Sequence, residues 1–208
     1  MTIFGSRAMD AALIFLLATV VSFIGSLQAG LVNTAVLATT LRKGRQAGFS
    51  LAIGGAIPEF LYAGSAFAFG TWITTLSDNY PIVVKAVAAS TLFGMGVYFL
   101  LLFKLRLDRP GTASGGIWKG LLIGLANPQL ILFWCGVRLS LHTFGIEAGG
   151  LILLFAFALG AFVGALILLM LLVRWGDHAK DKVHVRTLTW GFRIMGLALI
   201  AGGVFALR

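Results

Sequence analysis

Gly30-Leu31-Val32-Asn33 and, 94 residues later, Gly124-Leu125-Ala126-Asn127 are two copies of one phrase, and they hold two of the three asparagines in the chain. Both lie inside long apolar segments, where an amide has no water to satisfy it and where Gly, with Pro128 after the second copy, weakens the helix. Interrupted hydrophobic segments at matching positions in two halves are the sequence mark of a membrane carrier built from internal repeats, with its binding site between them.

Working outward, the 208 residues are 59% hydrophobic and only 11% charged, against about 25% charged in an ordinary globular domain. A bilayer needs about 20 apolar residues per helical span. Six such runs are present, at roughly 11–33, 49–72, 82–103, 117–137, 148–173 and 188–206. The expected fold is therefore all-α, a polytopic membrane protein with six transmembrane helices. The runs are continuously apolar and do not alternate, which disfavours a transmembrane barrel.

The net charge of +9 would suggest nucleic acid in a soluble chain, but its distribution is a topology signal. Arg42, Lys43 and Arg45 follow span one; Lys104, Arg106, Arg109 and Lys119 surround the loop after span three; Arg174, Lys180, Lys182 and Arg186 follow span five. The opposite side carries only Arg7, Lys85, Arg138 and Arg208. By the positive-inside rule the odd-numbered loops are cytoplasmic and both termini lie outside. The single Cys135 excludes an intramolecular dithiol relay. Arg7 and the apolar run up to Ser26-Leu27-Gln28-Ala29 resemble a signal peptide, yet Leu27 is bulky where a small residue is needed, so no cleavage is expected.

Three spans per half is an odd number, so the second half enters the membrane from the opposite side. The expectation is two inverted three-helix repeats, 1–104 and 105–208, within one membrane domain. The stretch 107–116, Leu-Asp-Arg-Pro-Gly-Thr-Ala-Ser-Gly-Gly, is the natural linker between them. The first apolar stretch, 11–41, would measure about 46 Å as a straight helix against a hydrocarbon core of about 30 Å. It must tilt, bend or break, and Gly30 is the natural place. Pro128 does the same in span four by disfavouring helix at Asn127. Gln28, Asn33, Asn127 and Gln129 then either surround a polar cavity near the midplane or serve as interhelical hydrogen-bond glue.

Span two places Glu59 deep in the bilayer, the only acidic residue so placed. A carboxyl there requires protonation, a cationic partner or a water-filled cavity, and each is a functional mark. Gly55, Glu59 and Tyr62 share a helical face at i, i+4 and i+7, and Pro58 locally opens the helix. Glu59 carries a coupled proton, holds the ammonium of a substrate, or merely ties helix two to a neighbour. Arg193 in span six either snorkels to the interface or meets a substrate carboxylate. Gly160 and Gly164 form a Gly-x-x-x-Gly packing pair, and Trp72, Trp118, Trp175 and Trp190 read as interface anchors.

No nucleotide loop, metalloprotease helix or serine-hydrolase elbow is present, and His142, His178 and His184 fall in loops. No enzyme, cofactor, metal site or nucleic-acid partner is expected. The readings that remain are a transporter, a non-transporting membrane scaffold or assembly factor, and an ion or metal permease.

With these motifs in view, the chain resembles the lysine exporter (LysE) family of bacterial amino-acid exporters, which includes homoserine and threonine exporters. The resemblance rests on Gly30 to Asn33 (family Gly-Pro-x-Asn), Lys43-Gly44-Arg45-Gln46-Ala47-Gly48 (Lys/Arg-Gly-x-x-x-Gly), Glu59 (family Asp), and Asn127-Pro128-Gln129 followed by Phe133 (family Asn-Pro-Lys with a Phe). Leu31, Glu59 and Gln129 depart from the family residues. The resemblance implies export of an amino acid or small amine across the bacterial cytoplasmic membrane, in exchange for protons, by a homodimer. The site residues it and the motifs single out for substrate are Gln28, Gly30, Asn33, Tyr62, Asn127, Pro128 and Gln129, with Glu59 for the proton.

Overall fold

The computed structural model describes residues 7–27, 30–102, 116–146, 150–179 and 185–206. Gln28 and all but the last residue of the linker 107–116 lie outside the described residues. Within them the chain is all-helical: α1 (Arg7–Ser26), α2 (Leu31–Lys43), α3 (Arg45–Ala68), α4 (Gly70–Asn79), α5 (Pro81–Val97) ending in a π turn (Tyr98–Leu102), α6 (Ile117–Leu125), α7 (Pro128–Thr143), α8 (Gly150–Ala179) and α9 (Val185–Ala206).

Both expected breaks are present. The first apolar stretch ends as α1 at Ser26 and restarts as α2 after an extended Gly30, so Asn33 sits in the first turn of α2 rather than at the end of the helix before it. The second is bent by 64° between α6 and α7, with Pro128 at the first helical position, where its missing N–H costs nothing. Gly44 joins α2 to α3 at φ +87°, a left-handed backbone that favours glycine.

Three helices, 8–26, 45–68 and 150–178, are each long and apolar enough to cross a membrane, and five spans result if each bent pair counts as one. The segment after span two is not a loop. It forms α4, which meets α5 at a 105° bend, because Pro81 starts α5 and keeps Tyr80 out of helix. The outer face of α1 exposes Leu13, Leu16, Val20 and Ile24, and α5 exposes Ile82, Val83 and Val87. Faces of this kind suit acyl chains rather than water.

Close helix approach is bought with glycine. A Cβ at Gly160 or Gly164 on α8 would strike the backbone carbonyls of Phe15 and Thr19 on α1, and one at Gly54 or Gly120 would strike the facing backbone of α6 or α3. The pair read as Gly-x-x-x-Gly is thus the α1–α8 seam. Packing falls into two apolar clusters. One joins Ile14, Ala63, Phe67, Trp134, Leu141, Phe157 and Ala161; the other joins Val32, Val36, Leu51, Ala56, Ala165, Leu169 and Val173. Helices α3 and α8 thread both clusters in opposite order, so they run antiparallel. Glu59 falls between the two.

Candidate functional site

Where the two breaks converge on the middle of α3, the walls leave a cavity lined by Ser26, Gly30, Asn33, Glu59, Asn127 and Gln129 on its polar side. Val32, Leu130, Phe133, Ala165 and Leu169 form the apolar side, and Gly25 and Gly55 complete it. Its volume is about 50 Å³, room for a few waters at about 10–15 Å³ each.

Each polar group is placed by a local necessity. The end of α1 leaves carbonyls without helical partners, and Asn33 answers one of them: its Nδ2 donates to the Ser26 carbonyl at 2.6 Å, strapping α2 to α1 across the gap. At the second break the Asn127 side chain accepts from the Gln129 backbone N–H at 3.2 Å, a helix N-cap. The Tyr62 hydroxyl donates to the Leu125 carbonyl at 2.7 Å, tying α3 to the last turn of α6. The two phrases therefore use their asparagines differently. The first bonds backward to the helix it left, and the second bonds forward into the helix it starts.

Glu59 is 6% exposed. Pro58 before it is also buried, and its ring occupies the space that a side chain at Gly124 would need, which brings α6 against α3 beside the carboxyl. The Trp134 indole N–H donates to the Glu59 carboxyl, and Ser26 lines the cavity with it. Trp134 is itself held edge-on to Phe133 and Phe157, with ring centroids 5.1 and 5.2 Å away. An ionisable group taken out of water is costly unless hydrogen-bonded, and here Trp134 of α7 supplies a donor.

Of the residues expected at the site, Gly30, Asn33, Glu59, Asn127 and Gln129 line one cavity. Tyr62 and Pro128 stand behind it, shaping the second break, and Gln28 lies outside the described residues. Arg193 is exposed and lies over the Trp190 ring at 5.6 Å, apart from the cavity lining.

Trp134 was not anticipated from the sequence. By position it reads as one more interface anchor, because it falls close to the end of the fourth apolar run, 117–137; only the packing of α7 on α3 turns its N–H inward to a partner. Arg138, read as an outer-side charge, is 3% exposed. The turn after α7 folds back so that its Nη1 donates to the Ile146 carbonyl at 3.1 Å, and the guanidinium lies over the Phe67 ring at 5.8 Å.

A carboxyl, three amides and a hydroxyl around an otherwise apolar space can hold a small polar ligand, an ammonium above all. No curated protein and no solved structure matches the chain. The family model described as LysE type translocator matches residues 23–208, which covers both breaks, Glu59 and every described lining residue. The chain therefore belongs to the LysE type translocators, a family of membrane transporters for small molecules.

Proposed function

We propose that this protein is a secondary transporter that exports an amino acid or related small amine across the bacterial cytoplasmic membrane by proton antiport with alternating access. The observation that carries the reading is Glu59: a buried carboxyl facing a small cavity at the meeting point of two broken helices. In the proposed cycle Glu59 alternates between a proton and the substrate ammonium, while Asn33, Asn127 and Gln129 hydrogen-bond the rest of the ligand. Interrupted helices around a midplane site are the architecture in which such carriers bind substrate.

The packing pattern supports six spans in two inverted repeats. Helices α1 and α2 pack on α8, α6 and α7 pack on α3, α3 packs on α8, and α5 packs on α9. Exchanging the two halves maps these contacts onto themselves, as a two-fold axis in the membrane plane would, while the α2–α3 contact has no counterpart of like extent between α7 and α8. The charge bias supports cytoplasmic odd-numbered loops and external termini, and the family resemblance supports a homodimer.

The test is efflux from cells or proteoliposomes under an imposed pH gradient. Wild type should export its substrate faster when the receiving side is acidic, and Glu59→Gln should abolish that response while the purified variant stays folded. Full gradient-driven efflux in Glu59→Gln would falsify the antiport reading.

A further inference from the structure

The cavity's charge inventory narrows its ligand. Among the described residues that line it, Glu59 is the only one with a charged side chain. Facing it are amides, one hydroxyl and an apolar wall of Val32, Leu130, Phe133, Ala165 and Leu169. Phe133 is wedged onto the bare backbone of Gly25, so that wall has no slack on the α1 side. The second break adds no free cationic end, because the first amides of α7 are already engaged: Pro128 has none, Gln129 N–H bonds the Asn127 side chain and Leu130 N–H bonds the Asn127 carbonyl.

A ligand with one ammonium finds one counter-charge. A second ammonium would be set against hydrocarbon with no partner, which is costly in a low dielectric. At the first break α2 starts after Gly30 with no side-chain cap, so its N-terminal end at the cavity wall can take one carboxylate; a second carboxylate, on an acidic side chain, would face Glu59 without any lining cation to offset the repulsion. We infer that the site selects compact compounds bearing a single ammonium group and an uncharged side chain, and turns away dibasic and acidic ones. The inference rests on the transport reading of the cavity and adds to it the substrate's charge class. Neutral amino acids and simple monoamines share that chemistry.

The experiment is thermal unfolding of the purified protein in detergent with L-valine, n-propylamine, L-lysine, 1,5-diaminopentane or L-glutamate at equal concentration. The expected result is a rise in Tm with valine or propylamine and none with the other three. Comparing those two separates amino acid from amine.

A gain-of-function variant gives a second arm. Gln129→Glu is nearly isosteric, places its charge in the first turn of α7 where an anion is tolerated, and supplies a second carboxylate to the cavity. It should acquire stabilisation by lysine or diaminopentane that wild type lacks. If lysine raises the wild-type Tm as much as valine does, and Glu59→Gln removes the effect, the single-charge inference is overturned while the transport reading stands. If no compound shifts wild type and none is exported, both fall.

Discussion

The Trp134 indole donates its N–H to the Glu59 carboxyl across the α3–α7 contact, and both side chains are buried. One residue thus links the titratable centre of the cavity to the aromatic cluster beside it, since the same ring packs on Phe157, which in turn packs on Phe67 at 5.0 Å.

Replacing Trp134 by Phe keeps most of the ring packing and removes the donor. A buried acceptor left short of a partner costs about 1–3 kcal/mol, so Trp134→Phe should lower Tm. In the Glu59→Gln background the same change should cost measurably less or more, because the amide replaces the carboxyl. A double-mutant cycle by thermal or denaturant unfolding reads the coupling. Strict additivity would mean that the hydrogen bond contributes nothing.

The two asparagines should differ on truncation. Asn127→Ala removes an N-cap worth about 1 kcal/mol and frays the start of α7 locally. Asn33→Ala cuts the bond to Ser26 that spans the first break, so proteolysis or hydrogen exchange around residues 26–31 should increase. Equal and diffuse exchange changes in both variants would contradict the separate roles.

Glycines at the seams and on the surface should respond with opposite sign. A Cβ at Gly120 has no room against the α3 backbone, whereas nothing lies within 4 Å of one at Gly136. Gly120→Ala should destabilise by about 1–3 kcal/mol through overpacking. Gly136→Ala, in the interior of α7, should stabilise by about 0.5–1 kcal/mol. Comparing the two Tm values checks both.

Topology is testable with single cysteines in a Cys135→Ser background. Gln46→Cys, beside the basic Arg42 to Arg45 stretch, should resist a membrane-impermeant thiol reagent added outside intact cells. Asp78→Cys on the exposed end of α4 should react. The reverse labelling would invert the orientation drawn from the charge bias.

Much of this architecture was legible in the residues. Apolar runs of about 20 residues force membrane helices whatever the tertiary detail. Gly30 and Pro128 weaken a helix by backbone chemistry alone, so both breaks were readable, and so was Glu59, since a lone acid in hydrocarbon stands out against its surroundings. What stayed hidden depends on which faces meet. The pairing of Trp134 with Glu59 joins residues 75 apart in sequence, and no local pattern encodes it. Likewise α4 hides in a stretch of Thr, Ser and Asp that reads as a loop, and becomes visible only once Pro81 is seen to start a new helix. The opposite directions of the two asparagine bonds were also out of reach, because they turn on a three-residue difference in where each helix resumes.

The antiparallel passage of α3 and α8 through both apolar clusters has a mechanical consequence for the proposed cycle. These two helices form a spine that is uninterrupted from one cluster to the other, while the helices flanking them are broken at the level of the cavity. A hinge at mid-depth lets one half-helix swing as a door without dragging the half beyond it. In the proposed cycle each face of the membrane would then have its own door and its own apolar latch, with Glu59 at the level of both breaks.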